Sequence, residues 1–155
     1  MKILDENLRK KWKNYLWQGA LAGLSIVLIT AVLADFMDFI LIAAVGSTAF
    51  LVFAIPHSQT ADFRSVVGGH LLCVIAGILC SMLGMPGIEG GLAVALGFGL
   101  MVVTNSEHPP AAGTALALAE TPSFTGAMFI MASAFLYSGL RLALLPYLKD
   151  LAGWT

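Results

Sequence analysis

Two adjacent prolines, Pro109 and Pro110, follow Glu107-His108 and lie between two apolar segments, 91–104 and 111–119. The sequence around them is mostly lipid-soluble: 59% of the 155 residues are apolar, 11% are charged, and mean hydropathy is +0.89. Soluble domains carry about 25% charged residues, so this is an integral membrane chain, and its length fits one domain. In hydrocarbon every backbone N–H and C=O needs a partner within the protein, which restricts spanning structure to helices and closed barrels. Proline lacks the N–H and interrupts the helical ladder. A Pro-Pro pair beside ionisable residues at membrane depth therefore marks a broken helix and a candidate functional site. The expected fold is all-α, a polytopic transmembrane helix bundle with a broken or re-entrant helix after His108-Pro109-Pro110.

The apolar stretches place spans at 16–34, 39–55, 66–83, 91–104 and 124–146, with a short helix over 109–119. Residues 1–15 read as an amphipathic interfacial helix. Ile3, Leu4, Leu8, Trp12 and Tyr15 recur at helical spacing among Arg9, Lys10, Lys11 and Lys13, and Trp12 and Trp17 suit the headgroup boundary. Residues 147–155 form a C-terminal tail. Gly19, Ala20 and Gly23 give the first span a small-residue face that another helix can approach, and Asp35 and Asp38 end it. Met85-Pro86-Gly87 is a tight turn by its residues. Cys73 and Cys80 are seven apart on one helix face, which suits small core residues better than a disulfide or a zinc site.

Two segments are short. The fourteen residues of 91–104 make about 21 Å of helix and the nine of 111–119 about 14 Å, against a hydrocarbon core of ~30 Å. They form either one broken span or a span followed by a re-entrant half-helix, and such interrupted segments point to a transporter site. Pro109 and Pro110 suit the first turn of the second piece. Its N-terminus would then aim free N–H groups and partial positive charge at the Glu107-His108 region, a setting that favours an anion.

Five basic residues, Lys2, Arg9, Lys10, Lys11 and Lys13, precede the first span, which implies a cytoplasmic N-terminus in a multi-pass membrane protein, of prokaryotic inner-membrane type. Loops 35–38 and 84–90 hold no Lys or Arg, and loop 56–65 holds Arg64. Arg141 and Lys149 favour a cytoplasmic C-terminus, which needs an even number of crossings. A re-entrant or merged 111–119 gives five instead, and the sequence leaves the two open. A faint internal echo places Gly46, Val52 and His57 51 residues before Gly97, Val103 and His108.

Polar residues near membrane depth are few. From them the candidate binding or translocation set is His108, Glu107, Pro109, Pro110, Thr114, His70, Arg64, His57, Asn105 and Gly69. Each has a plainer reading. Glu107-His108 suits a solvent-exposed loop, and so does His57 after Pro56. A histidine at the start of a span, as His70 is, commonly bonds a backbone carbonyl. Arg64 serves equally as a positive-inside residue or as a planar fork of donors at an anion-attracting mouth. The methionines are not spaced as a metal box and read as core filler. No Ser/His/Asp or Cys/His arrangement recurs at helical spacing, so no enzymatic activity is expected. Glu107, His108, His57 and His70 include metal-ligand types, but neither a metal nor another cofactor is expected. Net charge is −1, so nothing argues for nucleic acid.

With Pro56, Arg64, Gly68-Gly69-His70-Leu71 and Glu107-His108-Pro109-Pro110-Ala111 in view, the chain resembles the HPP family of integral membrane proteins over about 16–146. The family takes its name from the motif at His108-Pro109-Pro110. It departs from the family pattern at Ser65, where asparagine often follows the arginine. The resemblance implies four spans and transport, and some plant plastid and cyanobacterial members are associated with nitrite. The expected function is therefore a transporter or channel for a small inorganic monoanion, nitrite first, acting in the lipid bilayer as a homo-oligomer. In that reading His108 donates to the anion, and Glu107, neutral or bound to Arg64 or His70, orients it or carries a proton. The rival is a membrane-embedded scaffold or assembly subunit without a permeant. Bound metal in stoichiometric amount would instead indicate an intramembrane metalloenzyme.

Overall fold

The computed structural model describes residues 8–33 and 39–152. It is a bundle of six α-helices: α1 (Leu8–Leu33), α2 (Phe39–Ala54), α3 (Phe63–Ser81), α4 (Glu89–Val103), α5 (Ala111–Glu120) and α6 (Phe124–Leu144). A single 3₁₀ turn, Gln59–Ala61, lies between α2 and α3, and there is no strand among the described residues. Stretches within α1, α3 and α6 are long and apolar enough to cross a membrane, and α2, α4 and α5 supply shorter apolar helices. With every backbone bond closed inside a helix, such sequences bury no unpaired amide in lipid.

The contacts fix the direction of each helix. Gln18, early in α1, bonds Phe53 at the end of α2 and Lys149 after α6. Arg141, late in α6, bonds the carbonyl of Pro56, whereas Gly126, early in α6, packs on Leu41, early in α2. Gly69, early in α3, meets His108 just before α5, and Gly77, late in α3, meets Ala115 and Leu118 within it. Gly90, early in α4, meets Glu120 at the end of α5. The six helices therefore alternate between two ends of the bundle. The start of α1 and residues 148–151 share one end, here called proximal. Three of the six helices, α1, α3 and α6, contain stretches long enough to span a membrane, and α2, α4 and α5 are shorter. The described basic residues, Arg9, Lys10, Lys11, Lys13, Arg64, Arg141 and Lys149, all belong to segments at the proximal end.

α3 is central, packed on α4, α5 and α6, while α2 joins α1, α5 and α6. One core cluster, including Val52, Phe53, Leu118, Ile130 and Tyr137, ties α2, α3, α5 and α6 together. A second is built of Cys73, Cys80, Ala93, Met101, Ala111, Ala115 and Ala119. Its small side chains let α3, α4 and α5 approach closely. Both cysteines are buried and unbridged.

Several sequence expectations change. The interfacial helix expected over 1–15 is, from residue 8 onward, the opening turns of α1; residues 1–7, with Asp35 and Asp38, lie outside the described residues. No proline interrupts the stretch, so the helix simply continues. A Cβ at Gly19 or Gly23 would meet nothing within 4 Å, so that small-residue face is not used against another described element. α1 is held instead through Gln18 and through Ser25, whose hydroxyl bonds Tyr137. The tail returns to the bundle: Leu151 donates to Ala54 and Tyr15 donates to Leu151. At the distal end Ile88 donates to Met85 across Pro86-Gly87, with Gly87 at φ +81°, a type II turn that needs glycine at that position.

Candidate functional site

α4 ends in a Schellman motif. The amide of Asn105 donates to Val102 and that of Ser106 to Met101, with Asn105 in the left-handed region at φ 55°, where asparagine is tolerated. The chain turns back at once. His108, Pro109 and Pro110 form a tight turn whose carbonyls accept from Ala111, Ala112 and Gly113. α5 then runs antiparallel to α4, so 91–104 and 111–119 form a helical hairpin rather than one continuous broken helix. Because those three amides are already bonded, the α5 N-terminus does not offer them to an anion, contrary to expectation. The prolines fall where an N–H would have no helical partner.

The turn presses His108 onto α3. A Cβ at Gly69 would stand 2.8 Å from His108 Cβ and 3.1 Å from the Ser106 carbonyl, so only glycine permits this approach. His108 is thereby brought beside His70, with ring centroids 5.0 Å apart and planes at 62°. Thr48 of α2 lies between them: its Oγ1 is 3.0 Å from Nε2 of each ring and 2.9 Å from its own Ala44 carbonyl. His70 Nδ1 is 2.9 Å from Thr114 Oγ1, and His108 Nδ1 is 2.7 Å from the Thr60 carbonyl. Thr48, His70, His108 and Thr114 are all at most 1% exposed. His70 is seven residues into α3, about 10 Å from its proximal end at 1.5 Å per residue.

The other candidates lie apart from this chain of contacts. Glu107 is half-buried beside His108; His70 cannot be its partner, since both ring nitrogens of His70 are engaged. Arg64 is exposed. His57 is exposed and pairs with Asp150 at 3.4 Å, so the sequence echo of His108 does not make it an equivalent site. Asn105 accepts from Gln59 at 3.1 Å and serves the turn. Pro109 is exposed and Pro110 buried. Glu107, His108 and Pro109 line an otherwise apolar groove of about 490 Å³ with Phe98 and Met101 of α4. Among the described residues no three His, Cys, Asp or Glu side chains converge as metal ligands.

Sequence reasoning missed Thr48, Thr60 and Arg141. Thr48 looks like any hydroxyl able to bond its own helix, and Thr60 acts through its backbone. Arg141 had a signal, an ionisable residue inside a span, but counted only toward orientation. It is 6% exposed, donates to Pro56 and pairs with Asp62, and so pins the segment that carries Thr60.

The fold and site define a polytopic α-helical membrane protein with a buried imidazole pair at the turn between its two shortest antiparallel helices. The chain belongs to the HPP transmembrane-region family, whose model matches residues 7–147. It is also similar to a transmembrane protein of Dictyostelium discoideum, 33% identical over 82 residues. That match covers 50% of this chain and 29% of the relative's length. No solved structure matches it.

Proposed function

We propose that this protein is a transporter or channel for a small inorganic monoanion, nitrite first, and that the solute passes the His70–Thr48–His108 cluster. The observation that carries the reading is that cluster itself: two imidazoles and two hydroxyls, fully buried about 10 Å inside an apolar bundle. Ionisable groups at membrane depth are costly and mark solute or proton pathways. The turn places His108 beside the groove lined by Glu107, which supplies an approach from outside the bundle. The collection of described Lys and Arg at the proximal end supports a cytoplasmic placement of that end; the same proposal places the protein in an inner membrane as a homo-oligomer.

One observation favours the scaffold reading: every ring nitrogen of the cluster already has a partner, so the arrangement also suffices as interhelical glue. Nitrite flux into liposomes holding the purified protein separates the two, with formate, nitrate and chloride as competitors. Saturable flux lost in His108→Ala, with the helical content unchanged, is the expected result. Equal flux from the variant refutes the proposed path, and no flux of any of these anions supports the scaffold.

A further inference from the structure

The hydrogen-bond partners of the imidazole pair determine where its protons are. A carbonyl only accepts, so His108 Nδ1 must carry the proton donated to Thr60. If His108 is neutral, its Nε2 is then a bare acceptor and takes the Thr48 hydroxyl proton. Thr48 in turn accepts from His70 Nε2–H, and His70 Nδ1 accepts from the Thr114 hydroxyl. One directed chain results: Thr114 to His70 to Thr48 to His108 to the Thr60 carbonyl. No other assignment with both rings neutral satisfies all four contacts.

One proton more can be added at either ring, but protonating His70 Nδ1 would turn the Thr114 hydroxyl away from its one partner among the described residues, whereas Thr48 has a second acceptor. If the Thr48 hydroxyl turns to the Ala44 carbonyl, already 2.9 Å away, its oxygen accepts from both Nε2–H groups. His108 is then an imidazolium with both N–H groups bonded, and no atom has moved except the hydroxyl hydrogen. We propose that the pair takes up a single proton from the aqueous phase at His108 Nε2, and that the Thr48 hydroxyl is the two-position switch that accommodates it.

The surroundings of the pair set what balances that charge. α2 contributes no titratable side chain from residue 40 to 54, and α4 and α5 carry only Glu89 and Glu120, at their distal ends. On α3, Cys73 lies one turn beyond His70 and packs on Gly97, and Arg64 is exposed. Asp62 is engaged by Arg141 of α6, and Tyr137 of α6 by Ser25. This leaves Glu107 as the neighbouring carboxyl. A charged pair otherwise lacks a counter-ion, so protonation and entry of a monoanion favour each other, each raising the affinity for the other by the same factor. That coupling rests on the transport reading; the switch does not.

The test is ¹⁵N spectroscopy of histidine-labelled full chain in lipid bilayers, with His57→Ala to remove the third ring. At alkaline pH two neutral rings of opposite tautomer are expected, Nδ1–H for His108 and Nε2–H for His70. Acidification should convert one ring to imidazolium while the other stays neutral. Thr48→Ser should keep this one-proton behaviour and Thr48→Val should lose it, with the rings titrating independently. Neutral His108 in the Nε2–H tautomer overturns the proposal, as does one-proton behaviour in Thr48→Val. Spectra as expected from a protein that moves no anion would refute the transport reading and uphold the switch. Nitrite flux without accompanying protons would refute the coupling.

Discussion

Gly69→Ala tests the close approach on which the site depends. The added Cβ would stand 2.8 Å from His108 Cβ, 3.1 Å from the Ser106 carbonyl and 3.3 Å from Met101 Sδ. Carbon atoms prefer about 3.5–4.0 Å, so the turn must retreat by roughly 1 Å. A retreat of that size along the Thr48 contact lengthens it from 3.0 Å to about 4 Å, beyond hydrogen-bond range. Overpacking costs about 1–3 kcal/mol, and an unpaired buried polar group costs about 1–3 kcal/mol. The variant should therefore lose roughly 2–6 kcal/mol of stability. The assay is unfolding in lipid nanodiscs against wild type and Gly99→Ala, where a Cβ meets nothing within 4 Å and the helix should gain about 0.5–1 kcal/mol. If Gly69→Ala unfolds together with Gly99→Ala, the approach is not tight and the derived position of His108 is wrong.

Two other contacts yield expectations of their own. Arg141→Leu leaves the Pro56 carbonyl and Asp62 without their donor; a loss of roughly 1–3 kcal/mol is expected by the same unfolding assay, with Arg141→Lys recovering part of it because one ammonium cannot reproduce the fork. Gln18→Leu removes the bonds that join α1 to Phe53 and to Lys149, so the amides of Lys149 and Leu151 should exchange hydrogen faster while α3 amides do not; unchanged exchange at those two residues would show that residues 148–151 are held otherwise.

How far the sequence reached depends on the kind of force involved. Apolar stretches and breaks announced a helical membrane bundle because helix formation in lipid is dictated by backbone hydrogen bonding alone. His70, His108, Thr114 and Gly69 were also legible as polar or small residues in apolar surroundings. Thr48 was not, because its importance comes from lying between two rings brought together by α3 and by a turn 60 residues away. Nor was the direction of α5, since the proximity of Gly90 to Glu120 is a tertiary contact that no local pattern encodes. Arg64 and His57 drew attention by residue type alone, and the fold leaves both at the surface.

The role of the prolines shifts accordingly. From sequence, Pro109 and Pro110 suggested a helix N-terminus held open for an anion. In the fold, the amides of Ala111, Ala112 and Gly113 are closed onto the carbonyls of the turn itself, and what the turn delivers to the bundle interior is the His108 ring. A site made of backbone amides carries the same partial charge at every pH. A site made of imidazoles changes its charge and its donor count with each proton bound. The Pro-Pro turn thus brings to the bundle interior a group whose charge can change, in place of backbone amides whose charge cannot. The packing of Gly69 and Gly68 against His108 and Ser106 is the means by which the bundle holds the His108 ring in register with Thr48.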